Sequence, residues 1–119
     1  MKKEIFKTIK NINLREDSDE VKIEFTDGSY ITQHHEQDCC EHVWVSQIDG
    51  STLRHINAEL YSIDERLEDM RDDASESGTY TFYNIQTSKG YLDWRWQGES
   101  NGYYSESVTM EFHGSFVEL

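Results

Sequence analysis

The chain contains no proline in its 119 residues, where an average sequence of this length carries about six. Pro-rich linkers and proline-dependent docking tails are thereby excluded. Positive charge is also scarce. Eleven Lys and Arg stand against 24 Asp and Glu, for a formal net charge of −13. Such a chain repels nucleic acid and acidic membranes and is drawn to basic surfaces; solubility alone is the competing explanation of the charge. No apolar run approaches the roughly 18 residues that a membrane span needs. Residues Met1 to Phe6 lack the apolar stretch of a signal peptide, so the expectation is a protein of the cytoplasm without membrane contact. There are only two cysteines, the adjacent Cys39 and Cys40. In a reducing compartment they read as thiols or metal ligands rather than as a disulfide framework, and neighbouring cysteines rarely bridge each other. A Gly-rich phosphate cradle and a Gly-rich oxyanion turn are missing too, and the chain does not read as an enzyme.

What is present is enough for one core. Fifteen large rings (three Trp, seven Tyr, five Phe) can hold a small domain together, since each buries a large area. No repeat, low-complexity segment or composition shift divides residues 1–119, so a single domain is expected. Ile5, Ile9 and Ile12 mark a first strand over residues 4–14. Val21, Ile23 and Phe25 alternate with Lys22 and Glu24, the signature of a half-buried strand. Asp27-Gly28 is a hairpin signal leading into a return strand at Tyr30–His34. Val43-Trp44-Val45 forms another short strand. Ser51 or Thr52 is placed to cap a short helix with Leu53 and Ile56 facing inward. Leu60, Ile63, Leu67 and Met70 fit a helical stripe over residues 59–71 better than they fit a strand. Residues 79–87, then Leu92, Trp94 and Trp96 on one face, then Val108, Met110 and Phe112 form a closing meander, with loops at 72–78 and 98–102. The expected class is α+β and mainly β: a twisted antiparallel sheet of about six or seven strands, with one or two helices between residues 49 and 72.

The densest chemistry lies between His34 and His42, where three imidazoles, two thiols and three carboxylates occupy nine positions. Zinc takes Cys sulfur and His nitrogen, commonly four in a tetrahedron. Because successive strand residues point to opposite faces, Cys39 and Cys40 ligate together only if the chain turns there. The favoured donors are His35, one of Cys39 and Cys40, and His42, with His34 in reach and His113 able to close the shell from another strand. The competing reading makes the cysteines small hydrophobes and the histidines surface residues beside a turn. Two further segments are candidate contact surfaces. The run Glu59–Glu76 has eight acids and two bases, and Asp64, Glu65, Glu68, Asp69, Asp72 and Asp73 within it can imitate a phosphate backbone if a rigid element fixes them; a solvated face is the plainer account. The segment Gly98–Ser107 offers Glu99, Asn101, Tyr103 and Tyr104 as a recognition loop, or else a hairpin loop whose tyrosines begin the next strand.

At His35-Glu36-Gln37-Asp38-Cys39-Cys40-Glu41 and at Gly98-Glu99-Ser100-Asn101-Gly102-Tyr103-Tyr104-Ser105-Glu106-Ser107 the chain resembles a family of small bacteriophage and prophage proteins. The order of elements between the motifs extends the resemblance over most of residues 20–112. Ser46-Gln47-Ile48-Asp49-Gly50 departs from the family, which continues there with an Asp/Glu-rich segment. The resemblance implies work inside a bacterial host, and small acidic phage proteins commonly block host defences by occupying a nucleic-acid-binding groove. By analogy in size and composition, the chain is similar to metal-containing anti-CRISPR inhibitors of type II effectors.

Two functions compete. The first is a non-enzymatic inhibitor that binds a host nucleic-acid-binding protein, a type II CRISPR effector nuclease in particular, with a structural zinc and no direct contact to nucleic acid. The second is a phage protein that binds or cleaves a small nucleotide signal, motivated by the His/Cys/carboxylate cluster and the aromatic loop.

Overall fold

Val21, Ile23 and Phe25 are buried while Lys22 and Glu24 between them are half-exposed, so the period-two pattern does face one side to a core. The computed structural model describes residues 2–69, 77–100 and 105–116. Its strands are β1 (Lys2–Asn13), β2 (Glu20–Phe25), β3 (Tyr30–His34), β4 (His42–Asp49), β5 (Glu59–Asp69), β6 (Ser77–Thr87), β7 (Gly90–Ser100) and β8 (Thr109–His113). They form one eight-stranded antiparallel sheet in the order β4-β7-β6-β5-β1-β2-β3-β8.

The sheet folds over on itself. β1 is the corner: residues 2–8 pair with β5 and residues 9–13 pair with β2. Its register shifts between Glu4 and Lys7 and again between Ile9 and Asn11, and Phe6 takes φ 58°. Bulges of this kind bend a strand and let it pass from one layer to the other. The two halves then face each other across Ile9, Ile23, Ile31, Leu60, Ile63, Ile85, Leu92, Trp94 and Trp96. Four strands separate β3 from β7 in the sheet, yet the indole N–H of Trp94 (2.9 Å) and that of Trp96 (3.0 Å) both donate to Oε1 of Gln33. At the β4 edge, Asp17 N–H donates to Val45 O (2.7 Å) and Val45 N–H to Ser18 O (2.8 Å), so the β1–β2 loop covers part of that edge.

Several finer expectations are corrected. Among the described residues there are eight strands rather than six or seven; the mainly β class holds, and the helical part of the expected α+β class does not. Among the described residues the only helical piece is a 3-10 turn at Leu53–His55. Thr52 stands at its N-cap without a side-chain cap bond. Leu53, expected inward, is 81% exposed; His55 takes the inward place, with Nδ1 2.7 Å from Thr87 Oγ1, and burial holds its pKa below the ordinary value. Residues 59–69 are strand, not helix. The helical spacing of Leu60 and Ile63 comes from a register shift between Leu60 and Ser62. One extra residue resets the alternation, so two positions three apart both face the core. Leu67, the next member of the supposed stripe, is 63% exposed; Met70 and Arg71 lie outside the described residues. Gly98–Ser100 extends β7 instead of opening a loop. No helix among the described residues is long and apolar enough to cross a membrane.

Gln33→Leu keeps the side-chain bulk but leaves two buried indole N–H groups without an acceptor. A loss of about 1–3 kcal/mol per stranded donor is expected in urea melts. Trp94→Ala or Trp96→Ala is expected to cost about 3–5 kcal/mol. A Gln33→Leu protein as stable as the parent contradicts this account of closure.

Candidate functional site

The two motifs meet at one end of the folded sheet. β4 lies beside β7 with His42 opposite Glu99 and Val43 opposite Gly98. His35 Nδ1 stands 2.7 Å from the carbonyl of Ser107, and its Nε2 stands 2.7 Å from Glu41 Oε2. The side chains of His35 and Glu41 are 4% and 0% exposed.

Glu41 organises the first loop. Its carboxylate accepts the backbone N–H of Asp38 (2.9 Å) and of Cys39 (2.9 Å), and the side-chain amide of Gln37 (3.2 Å). Gln37 also donates to the Glu41 carbonyl at 2.7 Å. Burial alone pushes the Glu41 pKa up; the N–H of Cys39, His35 and the N–H of Asp38 outweigh it and bring the value down to about 2. Glu106 plays the matching part in the second motif. It is buried, accepts Thr79 Oγ1 at 2.7 Å on one oxygen, and accepts Ser100 Oγ on the other. A Cβ on Gly98 would lie 2.6 Å from Glu106 Cβ, so that position needs glycine for close approach.

The predicted metal donors do not converge in this arrangement. Cys39 and Cys40 are exposed and bridged to each other, contrary to the expectation of free thiols. The ring nitrogens of His35 are both engaged. His42 is exposed and stacked on Trp44 at 4.0 Å. His113 lies on β8, with Nε2 3.2 Å from Thr32 Oγ1 and its ring stacked on Tyr30. Among the described residues, the group of three or more His, Cys or acid side chains whose ligand atoms all lie within 4.8 Å of one another is His34, Glu36 and Glu111. Two of these are exposed and carry no second sign of an ion. His35, Cys39, Cys40 and His42 are thus not grouped with one another in this arrangement, and the segment is held by the hydrogen bonds that Glu41 accepts.

The acid run is divided between two faces. Register places Asp64 opposite Asn84, Arg66 opposite Phe82 and Glu68 opposite Tyr80 on the outer side of the sheet. Glu65 and Asp69 belong to the alternate set; Glu65 accepts the buried Tyr83 hydroxyl at 2.7 Å. Asp72, Asp73, Asn101, Tyr103 and Tyr104 lie outside the described residues. The outer face of β4, β7, β6 and β5 carries cross-strand rows. One is Asp64–Asn84–Asp93–Asp49, the next Arg66–Phe82–Arg95–Gln47, the next Glu68–Tyr80–Gln97–Trp44, and Glu99 beside His42 follows. Arg66 lies over the Phe82 ring at 4.4 Å and Arg95 over Tyr80 at 4.5 Å. A trough of about 380 Å³ runs between the first two rows. Asp49, Asp93, Arg95 and Trp44 had not been singled out as contact residues. The alternation in residues 91–97 was the signal that could have found the β7 pair.

These features define a mainly-β domain whose two motifs meet at one end of the sheet and whose outer face carries carboxylates in cross-strand rows. The chain belongs to the family of domains of unknown function DUF7448, whose model matches residues 2–110. No curated protein and no solved structure matches it.

Glu41 has its folded pKa below the ordinary 4.5, so its hold on the loop is complete above pH 4.5 and is lost as pH falls towards about 2. Hydrogen-exchange protection factors of the Asp38 and Cys39 amides are expected to follow that decline and to collapse at neutral pH in Glu41→Gln. Chelator should leave them unchanged. Protection that vanishes with chelator and survives Glu41→Gln assigns the loop to a metal instead.

Proposed function

We propose that the chain is a non-enzymatic acidic binding protein that covers a basic, nucleic-acid-binding surface of a host protein. The type II CRISPR effector nuclease is the target to which the phage resemblance points. The observation that carries the reading is the outer face of β4, β7, β6 and β5. Five carboxylates (Asp49, Asp64, Glu68, Asp93, Glu99) share it with two guanidiniums among the described residues. Strands space such groups about 4.8 Å apart across the sheet and about 6.8 Å apart along one face of a strand. The net charge of −13 adds long-range attraction to a basic groove. His35, Glu41 and Glu106 support the non-enzymatic part, because their polar atoms are engaged within the fold.

The trough between the rows gives the second reading, a nucleotide-signal site, one specific support: Phe82 with Arg66 and Arg95 beside it. The row Asp64, Asp93, Asp49 on the opposite bank repels phosphate, which favours the first reading.

Binding to a purified type II effector nuclease should weaken as salt rises, since exposed charges are screened beyond about 8–10 Å near physiological ionic strength. Reversing Asp64, Glu68 and Glu99 to Lys should slow association about tenfold. Exposed sites usually change stability by only about 0.5 kcal/mol. Reversing Glu16, Asp19 and Glu20 serves as the control of equal charge. Equal slowing by both triples, or none by the first, removes this face as the contact surface. Thermal stabilisation by a nucleotide, without nuclease binding, selects the second reading.

A further inference from the structure

The trough has banks of unlike chemistry. Asp49 and Asp93 lie directly opposite each other on β4 and β7, and like charges so placed repel. Asp93 accepts the Asn84 side-chain amide on Oδ1. Among the described residues neither aspartate has a cationic partner. The nearest guanidinium on the face does not supply one, because Arg95 Nε donates to Ser46 Oγ at 2.8 Å and its plane lies over Tyr80. Phe82, half-buried and crossed on one side by Arg66, forms a wall of the same cavity. The cavity thus joins an uncompensated pair of carboxylates, an aromatic wall and a volume of about 380 Å³.

We propose that this trough receives an arginine side chain of the basic partner, its guanidinium forked between Asp49 and Asp93 and its stem lying along Phe82. The inference rests on the reading that a basic protein docks on this face, and names the group that anchors it. Guanidinium fits better than ammonium for three reasons. It offers parallel N–H donors to two carboxylates at strand spacing. It is planar and less strongly hydrated, so it enters a half-enclosed aromatic site at lower cost. Arg66 and Arg95 show that this face already holds guanidiniums against its rings. A phosphate-bearing occupant would have to approach the aspartate bank.

Fluorescence anisotropy with labelled hexa-arginine and hexa-lysine peptides tests this. The intact protein should bind the arginine peptide about fivefold more tightly than the lysine peptide. Asp49→Asn with Asp93→Asn should bring that ratio to about one. Glu16→Gln with Asp19→Asn should weaken both peptides alike and preserve the ratio. A ratio near one in the intact protein, or a preference that survives the double Asn variant, overturns the inference. So does calcium or a nucleotide displacing the peptide at the cost of the same carboxylates. The broader reading fails separately. If the ratio behaves as expected but no effector nuclease is bound, the docking group stands and the target falls. If nuclease affinity is indifferent to the double Asn variant, the target stands and this anchor falls.

Discussion

Oε1 of Gln33 accepts both indole N–H groups of Trp94 and Trp96, and through it β3 meets β7 across the interior. A carbonyl-type oxygen has two lone pairs, and here each has a buried donor. Two large rings therefore enter the core without stranding a polar atom, which otherwise carries a penalty of about 1–3 kcal/mol each. The folding-over at β1 depends on this meeting, because a sheet with one apolar face must cover it. The outer face of β4, β7, β6 and β5 lies over this packed side: Trp94 and Trp96 face in, and Asp93 and Arg95 between and beside them face out.

Strands whose alternation runs uninterrupted were legible in the sequence. Val21/Ile23/Phe25, the Asp27-Gly28 turn and Leu92/Trp94/Trp96 all stand where the period-two pattern put them. The helix expected over residues 59–71 failed for a local cause. A bulge adds a residue and shifts the phase of everything after it, so Leu60 and Ile63 imitate a helix while pairing in a sheet. Gln33 was unreadable for another reason. A glutamine inside a strand has many fates, and its two tryptophan donors lie 61 and 63 residues away.

The two motifs were legible as places. Counting His, Cys and acids pointed to a metal shell. The part of Glu41 was not legible, because its carboxylate answers backbone donors that a sequence does not display. Likewise Glu99 and Glu106 are seven residues apart, yet one is exposed beside His42 and the other is buried under Gly98. The acid run shows the same limit. Strand geometry sends Asp64 and Glu68 to the outer face and turns Glu65 towards Tyr83.

Electrostatic attraction alone fixes no orientation, whereas carboxylates held in cross-strand rows do. Carboxyl-selective labelling of the protein, free and bound to a type II effector nuclease, is the measurement that tests this most directly. The account predicts that Glu41 and Glu106 resist labelling in both states, and that Asp49, Asp64, Glu68, Asp93 and Glu99 label when free and become protected together when bound. Protection confined to Glu36 and Asp38 in the first motif loop, with the outer rows still labelling freely, would contradict it.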